Sequence, residues 1–160
     1  MATKQEIYEG MRGVEERLVR FLPGIRENLE RPLLTGTWTV HDALCHLAAD
    51  TNAVARFLQR LERIDRGEPP RPAGFNLDEH NEKQIALRKG KPIDDVVAEI
   101  RKGFAADIMG VESIPDTTLK RQIPGFGGNP TLASDSLSFT LVRHNHIHLD
   151  DIEKALQGAS

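Results

Sequence analysis

Apolar residues recur at spacings of three and four along most of the chain, and the alternation that marks a half-buried strand is almost absent. Ile7, Met11, Val14, Leu18 and Leu22 draw one face of a first helix, predicted from about Lys4 to Leu22 and stopped by Pro23-Gly24. A second helix starts after Thr39, a good N-cap, with Asp42 three residues on as a carboxylate version of the capping box. Trp38 precedes that cap and can pack back on the first turn. The second helix is predicted to run to about Arg66, where "GEPPRPAG" forbids continuation. A short helix follows near Asp78 to Arg88, another runs from Pro92 towards Met109, and a final one from about Thr131 to Gln157. The segment between the last two, "SIPDTTLKRQIPGFGGNP", reads as irregular. Four long helices and one short one, with connectors too short for separate domains, predict an all-α protein. Its expected form is an antiparallel four-helix bundle in one domain over residues 1–160, with an insert between its middle helices.

Composition narrows the classes of function. The net charge of −3 comes from 21 basic and 24 acidic residues spread along the chain, so there is no basic footprint for nucleic acid and no polybasic membrane patch. No apolar run approaches the roughly 20 residues of a membrane span, and the N-terminal segment has no apolar signal core. The single cysteine, Cys45, excludes an internal disulfide and suits a reducing compartment. These features predict a soluble cytoplasmic domain with a small-molecule partner.

The candidate chemistry lies in the histidines. In "FTLVRHNHIHLDDIEKAL" three of the six fall at alternate positions, 144, 146 and 148. The segment is too long for a strand, and on a helix His144 and His148 lie about 40° apart on the face that carries Leu137, Leu141, Ile152 and Ala155. His146 points to the opposite side, with Val142 and Leu149. Two imidazoles one turn apart can chelate one metal ion. The other reading of the pair is two core histidines satisfied by hydrogen bonds. His46 bears on the choice, because it sits on the core stripe of the second helix with Ala43, Ala53, Phe57, Leu61 and Ile64. A histidine there is costly unless it is paired or bound to a metal. His46, His144 and His148 can form a three-histidine site between facing helices, with a position left open for water. Asp151, three residues after His148, and Asp50, four after His46, are placed to accept an imidazole N–H or to act as a general base. His41 reads as a surface residue, His80 as exposed and outside the site, and Cys45 as a packed helix residue.

"WTVHDALCHLA" (residues 38–48) and "HNHIHLDDI" (residues 144–152) resemble the DinB/YfiT-like superfamily, and within it the N-terminal domain of the mycothiol-dependent maleylpyruvate isomerases. The resemblance implies a four-helix bundle, often a homodimer, holding a divalent metal such as zinc, nickel or iron on His46, His144 and His148. It also matches Asp151 to an aspartate three residues past the last ligand, and Trp38 to the tryptophan before the second helix. The activities it implies are thiol S-transfer or isomerisation with a low-molecular-weight thiol cosubstrate, or hydrolysis. A bundle that sequesters a metal or small ligand without turnover is the rival expectation. Phe126, in "QIPGFGGNP", is a candidate apolar wall at the pocket mouth, although that loop equally reads as a plain connector. The last helix is apolar nearly all round, which predicts either a central place in the bundle or a dimer interface.

Overall fold

The computed structural model describes residues 1–125 and 129–158, so Phe126 lies outside the described residues. The first helix, α1, spans Lys4–Glu27. Thr3 and Glu6 start it with a reciprocal capping box, in which the Glu6 amide donates to Thr3 Oγ1 at 3.1 Å and the Thr3 amide to Glu6 Oε2 at 2.7 Å. It passes through Pro23, where a stop was expected. The proline sits on the exposed side, where water can take the carbonyl it leaves unpaired. The fully buried Ile25 anchors the following turn, and the Asn28 side-chain amide donates to the Gly24 carbonyl at 2.9 Å.

The second helix is broken, contrary to the single run its periodicity predicts. It consists of α2, Val40–Asp50, and α3, Ala53–Asp65, with Asn52 between them in the left-handed region at φ 58°. One local and one tertiary side-chain contact hold the break. The Arg56 guanidinium donates to the carbonyls of Asp50 and Thr51, both at 2.5 Å, closing the end of α2. The buried carboxylate of Asp107 takes the Val54 amide at 2.9 Å, opening α3. Asp107 belongs to α5, Ile93–Ser113, which passes close enough that a Cβ at Gly110 would lie 2.8 Å from Val54.

The short helix, α4, spans Leu77–Lys89. The segment read as irregular contains one turn of helix, α6 (Asp116–Leu119), and a small antiparallel hairpin of β1 (Gln122–Pro124) and β2 (Pro130–Leu132), with Ile123 opposite Thr131. Each strand has three residues, too few for alternation to show in the sequence. The final run comprises α7 (Ala133–Ser138), a π-helical turn (Phe139–Arg143) and α8 (His144–Gln157).

The protein is an all-α bundle apart from the hairpin. The helix α1 packs on α5 and α8, and α2 packs on α5 and α8 and is covered outside by α4. The core is filled from each element, with Ile7, Met11, Val14 and Leu18 on α1, Leu44 and Leu47 on α2, Ile100 and Phe104 on α5, and Leu149 and Ile152 on α8. Because α2 is wrapped by three helices, every residue from Val40 to Ala48 is buried. His41 is therefore buried, not a surface residue. The apolar girdle of the last helix is used inside the chain, since Leu149 is fully buried and Val142 and Leu156 pack on the core. No helix among the described residues is long and apolar enough to cross a membrane.

Candidate metal centre

Two local devices deliver the side chains. Thr39 and Asp42 cap α2 reciprocally, at 3.2 and 2.9 Å, and Lys89 of α4 holds the other carboxylate oxygen of Asp42 at 2.8 Å. These contacts fix where α2 begins, so that His46 falls inside the bundle and Asp50 at its last residue. In the final run the π turn ends at His144, whose backbone N–H donates to the Phe139 carbonyl. His144 and His148 then lie one α-helical turn apart on α8.

The structure brings His46, His144 and His148 together and adds Asp50, one donor atom from each lying within 4.8 Å of all the others. Asp50 Oδ2 is 3.1 Å from His46 Nε2 and 2.8 Å from His144 Nε2, and His144 Nε2 is 3.2 Å from His148 Nε2. The rings of His46 and His144 each stand 4.5 Å from that of His148, nearly perpendicular to it. His46 is buried, whereas Asp50 and His144 keep 26% and 31% of their side chains exposed, so the cluster opens to solvent on one side. Trp38 closes another side, its ring 4.8 Å from His46 and 6.0 Å from His148.

The charge states favour ligation. Burial pulls the His148 imidazole down to about 3, helped by repulsion from His46 and His144, so it stays neutral with a lone pair free for a cation. Burial opposes the charge on Asp50, yet hydrogen bonds from His144 and His46 outweigh it and hold the carboxyl well below its usual range. Three imidazole nitrogens and one carboxylate oxygen form a donor set that zinc, nickel and iron(II) accept. A carboxylate that only orients a ligating histidine contacts the ring nitrogen turned away from the metal. Asp50 touches the Nε2 atoms that converge with it, which is the position of a donor. His46 Nδ1 is buried and has no partner among the described residues.

Asp151, the expected proton acceptor, is half-buried one turn beyond His148, and no hydrogen bond joins it to the three imidazoles. His146 lies away from the cluster, with Nδ1 2.9 Å from an Arg17 guanidinium nitrogen. His80 is exposed against Phe75. Cys45 is buried, and burial pushes its thiol up to about 11, which suits packing and not nucleophilic attack. The sequence offers Asp50, four residues after His46, as an imidazole partner or base, and the structure places it among the donors, at the same spacing as His144 and His148.

In this helical bundle three histidines and an aspartate converge between α2 and α8 in a group that could hold a metal ion. The family model for the mycothiol maleylpyruvate isomerase N-terminal domain matches residues 11–153, a stretch that includes all four converging residues and Asp151. The chain belongs to that family, part of the DinB-like superfamily. No curated protein and no solved structure gives a significant match.

Proposed function

We propose that the protein is a metal-dependent enzyme acting on a small molecule, with His46, His144 and His148 holding one divalent ion (zinc, nickel or iron) and Asp50 as a further donor. The observation that carries this reading is the convergence of those four donor atoms within 4.8 Å, on the side of the bundle that stays partly open. The ion, when bound, supplies Lewis acidity, lowering the pKa of a water or thiol held against it. The residues of the chain do the rest. Trp38 keeps water from one flank of the histidines, and the partly exposed Asp50 and His144 lie where a ligand enters. Asp151, half-buried one turn past His148, is the candidate proton acceptor. Thiol S-transfer or isomerisation with a low-molecular-weight thiol cosubstrate is favoured by the mycothiol-dependent family to which the chain belongs, and hydrolysis is the other reaction this chemistry allows.

Metal analysis of the purified and reconstituted protein tests the reading. One divalent ion per chain is expected, lost in His46→Ala, and turnover is expected on either a thiol or a hydrolytic substrate panel. A chain that retains no ion, or binds one equally well as His46→Ala, overturns the site. A retained ion without turnover on either panel makes the protein a binding module.

A further inference from the structure

The π turn before His144 has a consequence for what the centre admits. In a straight α-helix, residues five apart point about 140° away from each other. Over Phe139–Arg143 the backbone instead makes an i→i+5 bond, from the His144 N–H to the Phe139 carbonyl, and the widened turn brings Phe139 round to the side of His144. The two rings stand 6.3 Å apart at 36°. The Asn145 side-chain amide braces this turn, donating to the Leu141 carbonyl at 2.8 Å. Phe139 keeps 39% of its surface exposed, although it is large and apolar. Trp38 stands on the other side of the cluster, against His46 and His148. Two aromatic rings thus flank the donor atoms, Trp38 from the connector before α2 and Phe139 from the π turn, and the partly open Asp50 and His144 belong to the same cluster.

From this arrangement we infer that the centre selects a ligand with a planar, apolar group directly beside its metal-binding atoms, and that Phe139 determines this selectivity by touching that group. The inference rests on the metal reading above. A flat ring or conjugated segment entering towards the donors would lie along the Phe139 ring, burying apolar area on both partners. A ligand with a donor head and no such group would gain nothing from Phe139.

The test compares two metal-chelating probes, acetohydroxamate and benzohydroxamate, binding to the full chain loaded with one equivalent of nickel and followed by titration calorimetry. Benzohydroxamate is expected to bind about tenfold more tightly. Phe139→Ala is expected to erase that advantage while leaving acetohydroxamate affinity within about twofold and nickel stoichiometry unchanged. Phe139→Leu retains apolar bulk without the flat ring, and should keep only part of the preference; it carries the test if the alanine variant does not fold. Equal binding of the two probes to the unsubstituted protein overturns the inference, as does an equal loss of both in Phe139→Ala or failure of either probe to bind while nickel is retained. A chain that retains no nickel overturns the metal reading itself, so the two failures are distinct.

Discussion

Asp50 decides how the centre behaves with and without an ion. Its Oδ2 lies 2.8 and 3.1 Å from two imidazoles and so keeps the donors gathered. Asp50→Asn preserves the shape and removes the charge. Metal affinity is expected to fall by at least the roughly 10- to 100-fold that follows loss of a residue merely orienting a metal ligand, since Asp50 stands as a donor. Chelator competition read by the fluorescence of Trp38, the only tryptophan, checks this; unchanged affinity would remove Asp50 from the donors. His148 makes a second prediction. Its folded pKa, pulled down to about 3, lies below the ordinary 6.5 of the unfolded chain. A depressed group adds stability above its unfolded pKa and loses it as the pH falls through the folded one, because only the unfolded chain takes up the proton. Asp50, held below its usual range, acts in the same direction at lower pH. The metal-free protein should therefore lose urea resistance progressively from about pH 6.5 towards 3. The upper part of that slope should flatten in His148→Gln.

At the scale of elements, the break between α2 and α3 and the π turn before α8 frame the centre, one just after Asp50 and the other just before His144. The break depends on Asp107, whose buried carboxylate takes the Val54 amide and whose other oxygen has no partner among the described residues. Burial raises the pKa of this acid, so its charge is a cost and its hydrogen bond the benefit. Asp107→Ala is expected to destabilise by about 1–3 kcal/mol by leaving the buried amide unsatisfied. Asp107→Asn keeps an acceptor and sheds the charge, and should cost distinctly less in the same urea titration. Helical phase was enough to put His46 on the core face of α2 and to set His144 and His148 on one side of the last helix, but the buried stripe of α8 runs through Asn145, Leu149, Ile152 and Ala155 and leaves both histidines half-buried beside it. Phase could not show the break at Thr51–Asn52, which is held by Arg56 bonding back to the end of α2 and by Asp107 reaching across from α5. Nor could it show the π turn, since a backbone bond from 144 to 139 leaves no mark in the pattern of apolar residues. His41 was misplaced for a related reason. A 140° offset from His46 means exposure only if the helix has a free side, and α2 has none.

For the whole molecule, the donors couple parts of the chain that are far apart in sequence. His46 and Asp50 stand on α2 and the other two histidines on α8, so an ion would tie the second helix of the bundle to the last. An ion that binds only the folded form stabilises by about 2.7 kcal/mol at a free concentration one hundred times its Kd. For a chain of this size each kcal/mol moves the melting temperature by about 2–4 °C. Removal of the ion by chelation should thus lower Tm by about 5–11 °C. Residues 1–160 are expected to behave as one cooperative unit, in which case Trp38 fluorescence beside His46 and helical circular dichroism across the bundle must shift together. A shift in fluorescence alone would mean that the ion orders its own surroundings and leaves the rest of the bundle untouched. Sedimentation at low concentration completes the measurement. Leu149, Val142 and Leu156 are used within the chain, so a homodimer, if it forms, would use another face, and its dissociation would make the same Tm depend on protein concentration.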